Sequence, residues 1–275
     1  MVDWRILGPL SVDPAVAGPP AAPGPLKQRV LLAILLLHAN QQVPTALLID
    51  GLWDGRPPAS ARANLQSYVA GLRRALPRAQ ILTTAAGYQL TVEPGALDAD
   101  VFEELSTAGR ERLAAGDYAQ AARLLGQALD LWRGDVLAGI ELPAALRAPV
   151  TRLTELRLIS LEARFEALLA SGEDASLVPE LIGLAEAYPL REALRGQLML
   201  ALHRAGRTPE ALAAYRAFRD RLVDEVGVEP GEAVQHLHRQ ILSGDAARPL
   251  VPALTPNQLP ADVTGFVGRS GCVAW

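Results

Sequence analysis

Leu52-Trp53-Asp54-Gly55-Arg56-Pro57-Pro58-Ala59-Ser60-Ala61-Arg62-Ala63-Asn64-Leu65-Gln66-Ser67-Tyr68-Val69-Ala70-Gly71-Leu72-Arg73-Arg74-Ala75-Leu76, followed by a short β-prone segment ending Gly87-Tyr88-Gln89-Leu90, decides the fold. Wound at about 100° per residue, Ala59 to Leu76 brings Leu65, Val69, Leu72 and Leu76 onto one side, with Ala61 and Tyr68 at its edge. That stripe faces a core. Opposite it lie Ser60, Ala63, Asn64, Ser67, Gly71 and Arg74, and Arg62, Gln66 and Arg73 line one flank. Small residues permit close approach to a duplex, amides pair with base edges, and guanidinium groups pair with guanine or phosphate. The helix reads as the recognition element of a helix-turn-helix; a merely solvated amphipathic face is the competing reading.

The flanks favour recognition. Leu26 to Leu37 is nearly all apolar after Arg29 and too short to span a bilayer, so it is a buried scaffold helix with Lys27 and Arg29 in its first turn. Thr45 caps a second helix through Leu52, and the Gly55 to Pro58 loop stops it. Ile81 to Thr84 and Tyr88 to Val92 are strands of a wing, joined through Ala85-Ala86-Gly87 with glycine supplying a positive φ. Trp4 to Val12 forms leading antiparallel strands. The expected DNA-contacting residues are Lys27, Arg29, Ser60, Arg62, Asn64, Gln66, Ser67, Arg73, Arg74 and Thr84.

At 275 residues, with 50% apolar and 5% aromatic content, the chain holds enough material for two domains. Leucine, alanine and arginine dominate, a composition that favours helix. The fold class is therefore mainly α: an N-terminal winged helix-turn-helix with small β-hairpins over residues 1–94, then a tetratricopeptide-like all-α domain over 98–243. Residues 244–275 read as a Pro-rich linker and truncated tail. The net charge of -4 divides unevenly. Residues 1–96 carry eight basic and five acidic side chains, or +3, which leaves -7 for the remainder. A mildly basic reader joined to an acidic partner suits a DNA binder of modest monomeric affinity.

From Asp98 onward the pattern is helical and partly repetitive. Gly116-Asp117-Tyr118 with Ala121 and Ala122 resembles the turn and second helix of a tetratricopeptide repeat, and Gly172 and Gly206 stand 34 residues apart, the period of that repeat. Ala211 and Tyr215 occupy its small and large packing positions. A longer helix, Ala144 to Ser171, has no clean apolar face. Such scaffolds bind other proteins, so a tetratricopeptide-type adapter whose winged helix has lost DNA affinity is the alternative reading.

No phosphate-loop motif is present, and His38, His203, His236 and His238 lack metal-ligand spacing. The single cysteine, Cys272, builds neither a disulfide framework nor a zinc site. No catalytic residue, cofactor or metal is expected. No segment is long and apolar enough for a membrane, which predicts a cytoplasmic protein.

The ordered phrases Leu7-Gly8-Pro9-Leu10, Leu26-Lys27-Gln28-Arg29, Leu52-Trp53, Pro57-Pro58-Ala59-Ser60-Ala61-Arg62, Leu65-Gln66-Ser67-Tyr68-Val69, Leu72-Arg73-Arg74 and Gly87-Tyr88 resemble the Streptomyces antibiotic regulatory protein family. The resemblance runs over roughly residues 1–243. It continues through Pro189 to Leu202, Glu210 to Arg216 and Leu222 to Gly231, which are similar to the family's bacterial transcriptional activator domain. The resemblance implies an OmpR-type winged helix, promoter repeats of double-stranded DNA as target, a homodimer on that DNA, and RNA polymerase as partner. It also implies control of antibiotic or other secondary-metabolite genes. Two places depart from the pattern: Pro14 to Pro25, where the family has strand residues, and Gly71, where it often has arginine. Gly265-Phe266-Val267-Gly268-Arg269 resembles the phrase that opens an ATPase domain in larger members.

Overall fold

The computed structural model describes residues 3–13, 24–77, 79–141, 143–173 and 175–244. Of the Pro14 to Pro25 departure from the family pattern only Gly24 and Pro25 fall within the described residues, and all readings of the tail after Gly244 lie outside them.

Strands β1 (Trp4–Arg5) and β2 (Ser11–Val12) pair antiparallel, Trp4 opposite Val12. Helix α1 (Leu26–Leu37) follows, and seven consecutive residues, Val30 to Leu36, are buried. A helix apolar all round needs neighbours on every side. It finds them in α2 (Thr45–Trp53), in α3 (Ala61–Ala75) and in the sheet. That sheet has three strands in the order β3 (Val43–Pro44), β5 (Gly87–Thr91) and β4 (Gln80–Thr83), all antiparallel.

Local expectations shift in three places. Thr45 is the first helical residue of α2 rather than its cap; Pro44 holds that position and no side chain caps the end. Strand β3 had no signal in the sequence, because two residues show no alternation. Gly87 does not lie at positive φ. The turn is made by Ala85 and Ala86, closed by Thr84 N–H donating to Gly87 O at 2.9 Å. Gly87 is needed for another reason: a Cβ there would collide with the carbonyl oxygen of Val43 on β3.

Among the described residues that follow, the elements are helices: α4 (Asp98–Ala114), α5 (Tyr118–Leu129), α6 (Ala144–Ala170), α7 (Val178–Ala187), α8 (Glu192–Arg204), α9 (Thr208–Val226) and α10 (Glu232–Ser243). Gly116, Gly172 and Gly206 take positive φ after α4, α6 and α8, the left-handed turn that the repeat reading requires of them. Ala211 and Tyr215 are buried at their packing positions.

The core does not divide where the helical region begins. One apolar cluster joins Trp4, the α1 leucines, Leu65 and Leu90 to Phe102, Ala128, Leu137, Leu146 and Leu153. A second runs from Phe165 and Leu169 through Leu198, Phe218 and Ile241. Helix α6 enters the first with Leu146 and Leu153 and the second with Phe165 and Leu169, which is why it lacks a single apolar face. At the junction the buried Asp98 carboxylate accepts hydrogen bonds from the backbone N–H of Ile6 (2.8 Å) and Leu7 (3.0 Å), with Arg133 at 3.6 Å. Burial raises its pKa, against the pull of those amides and of Arg133.

Candidate nucleic-acid interface

Helix α3 buries Ala61, Leu65, Val69 and Leu72, the last three in the core shared with α1, with Leu76 buried just beyond its end. Tyr68 is half-buried and stacks on Trp53 at 6.2 Å between ring centres. With that side fixed by packing, Arg62, Ala63, Gln66, Ser67, Ala70, Arg73 and Arg74 are all exposed. Ala63, Ser67, Ala70 and Arg74 follow one another at helical spacing and make a row of small side chains ending in a guanidinium group. Arg62, Gln66 and Arg73 run beside it. The geometry suits a helix entering a major groove, where backbone must come close and only a few side chains reach.

The structure gathers some of the expected residues here and sends others elsewhere. Ser60 precedes α3 and its Oγ accepts from Asn64 Nδ2 at 3.1 Å, so these two polar groups are paired at the helix entry. Arg74 donates from Nε to Ala70 O at 3.4 Å, back along its own helix. Arg73 turns to the wing instead: Nε and Nη2 donate to Ile81 O at 3.0 and 2.6 Å, and Nη2 also donates to Thr83 Oγ1 at 2.9 Å. Thr84 lies in the hairpin turn, where its hydroxyl accepts from Gln42 Nε2 at 2.7 Å and from Gly87 N–H at 3.1 Å.

Lys27 and Arg29 stand apart from the exposed row. Lys27 donates from Nζ to Leu52 O, at the end of α2, and its ammonium lies 5.8 Å from the centre of the Trp53 ring. It lines a cleft of about 240 Å³ whose far wall is Glu141, Pro143 and Arg147 of the helical region. Arg29 is half-buried on α1, its Nε without a hydrogen-bond partner among the described residues. Gly71 meets α1 directly, since a Cβ there would come within 2.5 Å of Gln28 Nε2. An arginine at this position would displace that glutamine.

Arg56 is a basic group at this surface that periodicity does not find. It is exposed in the turn between α2 and α3, held by its N–H donating to Trp53 O at 3.0 Å. Its only sequence signal is an arginine between Gly55 and Pro57, residues that place a chain at the surface.

Comparison with known proteins settles the lineage. Residues 97–242 match the bacterial transcriptional activator domain. Over 252 residues the chain is 40% identical to the regulatory protein DnrI of Streptomyces peucetius, covering 88% of this chain and 92% of that one. The chain belongs to the Streptomyces antibiotic regulatory protein family. The regulatory protein AfsR of Streptomyces coelicolor is 42% identical over 266 residues, 93% of this chain, yet the match spans only 27% of AfsR. A structure of Mycobacterium tuberculosis EmbR in complex with a low-affinity phosphopeptide superposes with a TM-score of 0.82 at 35% identity, over 88% of this chain and 65% of that one. Family membership places the helical region in a regulator and sets aside the adapter reading. Among the described residues no helix is long and apolar enough to cross a membrane.

Proposed function

We propose that the protein is a sequence-specific DNA-binding transcriptional activator that reads promoter DNA with the outward row of α3. The observation that carries this reading is the exposed Ala63, Ser67, Ala70 and Arg74 row, flanked by Arg62 and Gln66 and backed by a fully packed Leu65, Val69 and Leu72 face. Names of relatives such as DnrI and AfsR support a regulatory role. The target is double-stranded DNA carrying repeated half-sites, bound by a homodimer in the cytoplasm. The helical region contacts RNA polymerase, and the regulated genes serve secondary metabolism. No cofactor or catalytic step enters this mechanism. A reader of charge +3 makes few phosphate contacts, so two copies on adjacent half-sites supply by effective concentration what one copy lacks.

Footprinting across promoters near the gene gives the site and its half-site spacing; anisotropy titration then gives affinity. Arg62→Ala and Arg74→Ala should each weaken binding by about 1 to 3 kcal/mol and relax base preference, without loss of fold. Unchanged binding in both variants would sink the assignment. A duplex with one half-site should bind more weakly, and with a shallower salt dependence, than a duplex with two. Equal behaviour on the two duplexes would remove the homodimer from the reading.

A further inference from the structure

We propose that Arg73 is a positioning residue that fixes the β4–β5 hairpin against α3, and that the hairpin meets DNA without a cationic side chain of its own. Base discrimination then rests on the outward row of α3. The proposal deepens the DNA-binding reading and rests on it.

Strand β4 is an edge of the three-stranded sheet. Ile81 lies opposite Leu90, and its N–H donates to Ala79 O rather than across the ladder. An edge carbonyl needs a partner from outside the sheet or from water. Arg73 supplies it. Three of the five guanidinium N–H donors are committed to Ile81 O and Thr83 Oγ1, which ties the last turn of α3 to the strand at two points. The other rim is pinned separately by Gln42 on Thr84 and by Thr45 N–H donating to Ala86 O at 3.0 Å. The hairpin is thus held on both sides at a set angle to the reading helix.

What the hairpin carries is as telling. From Ala79 to Val92 the sequence has no lysine, arginine or histidine. Its tip is Ala85 and Ala86, both exposed. Such a tip has no cation for a phosphate or for a narrow minor groove. Close approach and backbone hydrogen bonding are what it offers, and neither discriminates bases strongly. Arg74, one residue further along, bonds only within its own helix and supplies the control.

The test uses the full chain, the footprinted duplex, and the variants Arg73→Ala, Arg73→Lys and Arg74→Ala. Amide hydrogen exchange without DNA should show protection of Leu82 and Thr84, whose N–H groups face β5, falling roughly tenfold in Arg73→Ala. Affinity should fall by a similar factor on the footprinted duplex and on every single-base variant of it, with the salt slope unchanged. Arg73→Lys keeps the charge but loses the fork, and should behave like alanine. Arg74→Ala should relax preference at particular base pairs, as loss of a base-edge contact does, and leave β4 protection unchanged. Rescue by lysine, a shallower salt slope in Arg73→Ala, or altered preference at one base would make Arg73 a DNA contact and overturn the proposal. So would unchanged protection of β4. If the wild-type chain binds no duplex, the DNA-binding reading fails, while the exchange data still decide whether Arg73 braces the hairpin.

Discussion

The two apolar cores are held together by different devices. In the first, single polar anchors reach far along the chain: Asp98 takes the amide of Ile6, 92 residues away, and Asn40 exchanges hydrogen bonds with the backbone of Val92, 52 residues away. In the second, the bridges repeat: Gln197 donates to Glu162 O and Arg204 to Leu169 O, both across 35 residues. The first core is a closure of distant segments, and the second is a stack. Closure makes the winged helix and the start of the helical region one body, although they fall on opposite sides of residue 97. Stacking lets the second half add helices with near-neighbour contacts only.

The sharpest way to break this contrast is to hollow each core in turn. Phe102 packs edge-on to Trp132 at 5.3 Å in the first core, and Phe218 is equally buried in the second. Either change to alanine should cost roughly 3 to 5 kcal/mol. Phe102→Ala should loosen the winged helix and α4–α5 together, whereas Phe218→Ala should loosen α8–α10 and leave the α1 amides protected. Hydrogen exchange reads both. Equal loss of protection at Leu32 in the two variants would mean a single cooperative core.

The polar anchors give the next effect. Asp98→Ala leaves the Ile6 and Leu7 amides buried without acceptors, at a cost of roughly 3 kcal/mol in urea unfolding. Glu192, which accepts from Gly231 N–H at 3.0 Å in the second core, is only half-buried, and its alanine variant should cost about 1 kcal/mol. Equal costs would erase the distinction between anchor and stack.

Acidification supplies the smallest effect and separates the cores by sign. Burial, with Arg216 nearby, holds His238 below its ordinary value of 6.5, so its share of stability is present above that pH and lost as pH falls through the lowered value. Asp98 and Asp100 in the first core are raised above 3.8 by burial. Their share is present below that value and lost as pH rises through the raised one. Mild acid should therefore weaken the α9–α10 contact, where His238 stacks on Tyr215 at 3.8 Å, before it touches the first core. His238→Phe should abolish that step in exchange measured at neutral and mildly acidic pH.

Much of this is legible in the sequence where the signal is local. The α3 stripe of Leu65, Val69 and Leu72 is a matter of period, and so are the burial of α1 and the glycine turns at 172 and 206. Asp98 announces nothing, because its partners sit at the other end of the winged helix. Arg73 reads as a DNA contact from its position on the helix wheel, since the wheel does not show where the hairpin will lie. Gly87 looks like a turn glycine until β3, too short to detect, comes up beside it. The mixed face of α6 was visible, but its cause, two cores sharing one helix, is a property of the assembled chain.

That shared helix has a metrical consequence. The 27 residues of α6 make a rod about 40 Å long with each end embedded in a different core, so it works as a ruler between them. Each residue inserted at its middle would lengthen the span by about 1.5 Å and rotate one end by about 100°. One or two extra residues would put the far end out of phase with the near one. Seven would bring it almost back into phase and about 10 Å further off. Promoter activation that recovered with the seven-residue insert would report orientation alone; activation lost there as well would report length.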